Sequence, residues 1–231
     1  MNNRFKRSST LLITILALAL AGSANARDYL IEIVLFETLA GKDTTASGLY
    51  YPKLERTLLL NSEEAAQAGF QPITDGLKLA DNAASIEKSS RYRVIRHFAW
   101  RQPGLDEKSA IPILINIGDT LPIYLPDDIK PYDNFIPASA EPTPDRPRMI
   151  NTSTVNGSIK VRLGRFLHME VSLVFTDGET QQSFRLSQSR KMRSRELHYI
   201  DNPRFGLLTR ILPLDDTQSS AKESETAPIA Q

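Results

Sequence analysis

Arginine is the residue type in this chain whose spacing points to chemistry. Between Ser189 and Ile211 the sequence reads SRKMRSRELHYIDNPRFGLLTRI, and between Arg91 and Arg101 it reads RYRVIRHFAWR. In both stretches cations alternate with apolar and aromatic residues near the two-residue period of a β-strand. A guanidinium on a sheet must face a carboxylate, a phosphate or water, and its planar fork grips a carboxylate through two parallel hydrogen bonds. Cross-strand ion pairs, common and weak, account for part of these rows. They account less well for Arg91, Arg93, Arg96 and Arg101, whose stretch holds no acid at all. The chemistry indicated is recognition of a carboxylate-rich partner, either a polymer or an acidic protein surface. The expected contacts are Arg93, Arg96 and Arg101 on one strand and Arg193, Arg195 and Arg204 near the carboxyl end. Tyr199 and Trp100 each offer a ring for stacking on a sugar, with a core position expected for Trp100.

Other chemistries find less support. The only imidazoles are His97, His168 and His198, each near arginine and in no His-x-x-x-His or His-x-x-Glu-His pattern, so no metal site is expected. Glu170 and Glu196 are the carboxylates that a glycan hydrolase would use as acid and base, and an envelope hydrolase built on either is the alternative reading. Both read more simply as partners for Arg162, Arg165, Arg193 or Arg195. Ser194 lacks a nucleophile elbow, and no glycine loop cradles a phosphate. No catalytic residue and no cofactor are therefore assigned. Alternating arginine and aromatic residues also occur in single-strand nucleic-acid binders, but an exported chain argues against that partner.

Export is read from the amino terminus. Arg4, Lys6 and Arg7 precede the apolar run Leu11 to Leu20, and Ala24-Asn25-Ala26 is a small-x-small cleavage pattern. The run is about half of the roughly 20 residues that a membrane span needs. Residues 1–26 are thus expected to be a cleaved signal peptide, leaving a periplasmic protein with no membrane segment. Removing them takes 3 of the 28 Lys and Arg and none of the 27 Asp and Glu, so the mature net charge is 25 − 27 = −2. The positive field is then local: Ile159 to Arg210 carries ten Lys and Arg against five acids. Zero cysteines exclude disulfides and thiol catalysis, so the fold rests on its apolar core.

The elements that must position these residues are mostly strands. Tyr29 to Phe36 reads as a buried first strand with Glu32 as its one charge, and residues 37 to 56 as a long loop. A short helix is expected over Asn61 to Ala66, capped by Asn61 or Ser62 and ended by Gly69, and a second from about Gly76 to Ser89. Arg91 to Gln102 reads as a strand with Tyr92, Val94, Phe98 and Trp100 on one face and Arg91, Arg93, His97 and Arg101 on the other, Ile95 and Arg96 being exceptions. Ile111 to Ile117 is a strand ending at Gly118-Asp119, and the proline-rich segment at about 121–147 is a loop or arm. Asn156-Gly157 signals a hairpin turn, Gly164 a register shift and Asp177-Gly178 another turn. Ser183 to Met192 and Arg204 to Ile211 are the remaining strands. The sum is an α+β fold, mainly an antiparallel meander with one or two helices, in a single domain over 27–213 with a disordered tail at 214–231.

Three long blocks of the chain closely resemble one family. They are Tyr92 to Gly104 (YRVIRHFAWRQPG), Gly157 to His168 (GSIKVRLGRFLH) and Met192 to Gly206 (MRSRELHYIDNPRFG), with Ile31 to Glu37 (IEIVLFE) similar to its first strand. The family is CsiV, of periplasmic peptidoglycan-associated proteins. The resemblance implies a non-enzymatic factor of Gram-negative cell-envelope growth and cell shape. Its implied partners are peptidoglycan and a lipoprotein activator of a bifunctional penicillin-binding protein. The arginine rows, read independently, fit such a role, because peptidoglycan carries lactyl and peptide carboxylates.

Overall fold

The alternating segments pair into two antiparallel sheets that enclose one core. A computed structural model describes residues 27–39, 56–125, 148–180 and 182–214. In chain order the elements are β1 (Asp28–Thr38), α1 (Glu63–Gln67), β2 (Gln71–Ile73), α2 (Ala80–Glu87), β3 (Tyr92–Pro103), β4 (Ile113–Leu125), β5 (Arg148–Leu163), β6 (Leu167–Thr176), β7 (Ser183–Met192), β8 (Leu197–Asp201) and β9 (Phe205–Leu214). One sheet has the order β2-β3-β1-β9-β8 and the other β4-β5-β6-β7. This is the α+β, largely antiparallel fold that the alternation predicts. Residues 1–26, residues 40–55, residues 126–147 of the proline-rich connection and residues 215–231 lie outside the described residues. Among the described residues no helix is long and apolar enough to cross a membrane.

Odd-numbered residues of β1, Tyr29, Ile31, Ile33 and Leu35, share one buried cluster with Ile159, Val161, Met169 and Leu173 of the other sheet. Each such side chain contributes about 1.5–3 kcal/mol on full burial. Trp100 is fully buried here, so it is a core residue. Its indole Nε1 donates to Gln102 Oε1 at 2.9 Å, and Gln102 Nε2 donates to the Val161 carbonyl at 3.1 Å, tying the sheets together. The even-numbered face of β1 carries Glu32, which is buried without exposure. Its Oε2 and Oε1 accept the backbone amides of Lys78 and Leu79 at 2.8 and 2.7 Å. That carboxylate takes the amides just before α2, so the helix starts at Ala80, four residues later than expected. Within α1, Ser62 caps the Ala65 amide at 3.1 Å and Gly69, at φ +82°, ends the element as read from sequence.

Three local expectations are corrected. Asn156-Gly157 is not a turn but the middle of β5, where Gly157 pairs with Ile115 and Leu173. A Cβ at Gly157 would lie 2.0 Å from the Ser172 carbonyl oxygen, so glycine is required by the closeness of β6, not by chain reversal. Gly118-Asp119 does not end a strand either. It forms a bulge opposite Thr154, after which β4 runs on to Leu125. Leu121 to Leu125 are therefore strand and not loop, and Pro122 is accommodated because β4 is an edge strand. Residues 159 to 175, read as one or two strands about a register shift at Gly164, fall in two strands, β5 and β6, with Gly164 in the turn between them, while the turn at Asp177 and the bounds of β7 agree with the structure.

Candidate functional site

A single extra residue decides where the β3 arginines point. The β1–β3 pairing runs Leu35↔Arg96 and then Phe36↔Val94, so Ile95 is bulged out. Arg96 shares the side of Leu35, and Arg93, opposite Glu37, falls on that same side. His97 and Arg101 stand opposite Val34 and Leu30 on the other side. The expected grouping of Arg93 with His97 and Arg101 is corrected by this bulge, as is that of Tyr92 and Val94 with Phe98 and Trp100. Arg101 pairs with Asp28, Nε to Oδ2 at 2.6 Å, and Arg93 pairs with Glu37 at 2.5 Å. Arg96 is exposed, and among the described residues it has no acidic partner.

The carboxyl-terminal arginines are mostly structural. Arg204 is buried, bonds Asp177 at 2.8 Å and lies 3.5 Å from Glu37 as an ion pair, with its guanidinium over the rings of Phe184 and Phe175 at 5.3 and 5.9 Å. It faces the interior and offers a ligand no surface. Arg193 sits 3.5 Å from Glu196. Arg195, at the β7–β8 turn, holds φ +69° while its amide donates to the Ile211 carbonyl at 2.8 Å. Its guanidinium has no acidic partner among the described residues. Tyr199 stacks one ring face on Phe36 at 5.9 Å and donates its hydroxyl to Asp201 at 3.0 Å. Burial first, then Asp201, pushes its phenol up to about 12. Tyr199 on β8 and the arginines of β3 are separated by β1 and β9, about 14 Å at the usual strand spacing. The seven residues thus occupy separate places, and of the six arginines only Arg96 and Arg195 are both described and free of acid.

Arg96 stands at the lip of a groove of about 510 Å³, which opens where β3 diverges from β4. Its floor is apolar, with Pro72, Ile73, Leu77, Phe98, Ile115 and Ile117, and Leu59 rises from its edge, 57% exposed. Asn61, Thr74 and Asn116 supply the polar rim, with Asn116 Oδ1 already accepting from Ser153. One wall is held by residue 58, whose amide donates to the Pro112 carbonyl and whose carbonyl accepts from Leu114. The other is held through Glu32, which anchors the segment carrying Thr74 and Leu77 and also bonds His97 Nε2 at 2.7 Å. The sequence reading missed β2 and this groove. Its signal was the Leu58-Leu59-Leu60 run just before a helix cap, which has no strand period and became meaningful only when Leu58 proved buried and Leu59 exposed.

The alternative catalytic groups are placed as follows. Glu170 bonds Arg162 Nε at 2.8 Å and Lys160 Nζ at 3.0 Å. Burial pushes its carboxyl up, but hydrogen bonds from Arg162 and Lys160 outweigh that and hold it below the usual carboxylate value. A general acid for glycoside cleavage needs the opposite shift. Glu196 is an exposed turn residue beside Arg193. His97 serves Glu32, His168 donates to the Phe166 carbonyl, and His198 accepts the Arg193 amide. Among the described residues no three His, Asp or Glu side chains gather as metal ligands.

A family model described as peptidoglycan-binding protein, CsiV, matches residues 8–214, which includes both arginine rows and both walls of the groove. The chain belongs to the CsiV family. No curated protein and no solved structure matches it. The resemblance read from sequence is therefore the correct family. The CsiV match spans every described strand, so the family relationship concerns the whole sandwich and not one motif.

Proposed function

We propose that this chain is a non-enzymatic, exported accessory factor of cell-wall growth that binds peptidoglycan in the periplasm through arginine–carboxylate contacts. The observation that carries this reading is the match of residues 8–214 to a family described as peptidoglycan-binding. Support at the level of side chains comes from Arg96 and Arg195, the two expected contact arginines without an acidic partner among the described residues. Arg93, Arg101 and Arg193 can exchange an intramolecular carboxylate for an external one only at a cost, and Arg204 is enclosed. Contact is accordingly assigned to the two guanidinium groups that have no acidic partner among the described residues, and not to a continuous basic sheet face.

The test is co-sedimentation of the purified protein with insoluble peptidoglycan at low and high salt. Pelleting should weaken with salt, because exposed charges are screened, and should weaken further in the Arg96→Gln/Arg195→Gln variant at unchanged melting temperature. Absence of pelleting at any salt would overturn the reading. A pull-down from envelope extract would then read the protein partner that the resemblance implies, the lipoprotein activator of a peptidoglycan synthase. Release of soluble fragments, abolished by Glu170→Gln or Glu196→Gln, would replace the proposal with the hydrolase.

A further inference from the structure

The groove between β3 and β4 joins an apolar floor to a cation that has no acidic partner among the described residues, and that combination selects among ligand chemistries. Its volume of about 510 Å³ lies within the range of small-ligand sites. Leu59 at its edge is 57% exposed, although Leu58 beside it is buried in the core. Among the described residues that line the groove Arg96 is the only Lys or Arg, and His97 Nε2 is committed to Glu32. A sugar ring asks for several polar partners and an accessible aromatic face. Here Trp100 is fully buried, the half-buried Phe98 has one face taken by it at 6.0 Å and is the one phenyl ring in the described lining, and Asn116 Oδ1 is already bonded to Ser153. By contrast, the depression on the outer face of the other sheet is lined by Ser158, Ser172, Ser187 and Ser189, with Lys160 and Glu170 paired to each other. The first surface suits small apolar side chains next to a carboxylate, and the second suits hydroxyl groups.

Peptidoglycan presents both chemistries, a hydroxyl-rich glycan and short peptides with alanyl methyl groups and free carboxylates. Building on the peptidoglycan reading above, we infer that the β3–β4 groove receives the peptide of peptidoglycan and not its glycan strand. Arg96 holds a peptide carboxylate while the methyl groups lie on Ile73, Phe98 and Ile117. Arg96 and Phe98, two residues apart in the regular stretch of β3 that follows the bulge, lie on the same side of the strand, so cation and floor face the ligand together.

The experiment is an NMR titration of the purified protein with three soluble probes: an acetylated alanyl tripeptide with one free carboxylate, its carboxamide twin, and an N-acetylglucosamine oligomer without peptide. Pelleting with intact peptidoglycan is run alongside. The free-acid peptide should shift resonances of Ile73, Arg96 and Ile117. The carboxamide or the Arg96→Gln variant should bind about tenfold more weakly or worse, as expected for loss of a charge-assisted hydrogen-bond pair. Leu59→Lys should also weaken the peptide, and neither substitution should move the melting temperature. Peptide binding that ignores both substitutions would overturn the inference, as would shifts at the groove caused by the oligomer alone. Pelleting without peptide binding would overturn the groove assignment and leave the peptidoglycan reading standing. Failure to pellet would overturn that reading itself, and with it the peptidoglycan origin of the peptide.

Discussion

The two long sides of the sandwich use polar side chains in opposite ways. Where β7 meets β8, the sheets are sewn shut. Gln188 Nε2 donates to the Asp201 carbonyl at 3.2 Å, Arg190 donates to the Tyr199 carbonyl, and Asn202 Nδ2 donates to the Arg185 carbonyl at 3.1 Å. The first two donors cover outward carbonyls of β8 and the third covers one of β7, strands that would otherwise be open edges. Arg204 closes the end of the same side between Asp177, Glu37 and two phenyl rings. Where β3 faces β4, the sheets part, the floor is apolar and Arg96 has no acid beside it among the described residues. The same residue type is mortar on one side and, among the described residues, an exposed guanidinium without a counter-charge on the other. An arginine's role here follows from whether the fold supplies its counter-charge, not from its place in an alternating row.

The largest effect is expected on the closed side. Arg204→Met leaves Asp177 and part of Glu37 without their cation in a buried setting, and should cost about 3 kcal/mol in a urea unfolding experiment. A loss below about 1 kcal/mol would mean that the apolar contacts of that side suffice. On the open side, Glu32→Gln weakens two hydrogen bonds from backbone amides and the bond to His97, at an expected cost of about 2 kcal/mol. Because those amides carry the wall of the groove, the substitution should also weaken groove binding, whereas Arg204→Met should not at temperatures where the variant is folded. Arg190→Gln shortens the donor that covers the Tyr199 carbonyl and should cost about 1 kcal/mol, with faster amide exchange along β8 as its signature. The smallest effect concerns pH. Tyr199 has its phenol raised to about 12 from 10.0, so it favours the protonated, folded form. Its contribution is complete below pH 10 and is lost as pH rises from 10 to 12. Absorbance titration of wild type against Tyr199→Phe should reveal one phenol ionising in that window, and its ionisation near 10 would mean that Tyr199 is not packed on Phe36.

Most of the strands were legible because their apolar period is two and their turns carry Asp-Gly or Asn-Pro. β7 at Ser183–Met192 and the turn at Asp177 follow directly from that pattern. Parity along β3 was not legible past Ile95, since a bulge changes which residues share a face without changing their order in the sequence. Gly157 misled because glycine serves turns and close strand contacts alike, and only the Ser172 carbonyl distinguishes them. At the candidate site, the sequence indicated arginine as the relevant chemistry and included Arg96. It could not tell Arg96 from Arg101 or Arg204, because Asp28 and Asp177 lie far away in sequence and reach those arginines only through strand pairing. The groove was invisible for the same reason. Its walls come from residues near 59, 73, 97 and 115, joined only by the tertiary fold.

The Glu32 carboxylate should also order events in folding. Its bonds to Lys78 and Leu79 bridge 46 and 47 residues, so they cannot form until β1 is in place. Helix α2 has eight residues, none buried, and no side-chain cap of its own, and a helix that short is marginal when isolated in water. It should therefore be silent early in refolding and gain its protection from exchange only after β1 and β3 have paired. The wall of the groove is then among the last parts of the molecule to become fixed and, by microscopic reversibility, among the first to be released.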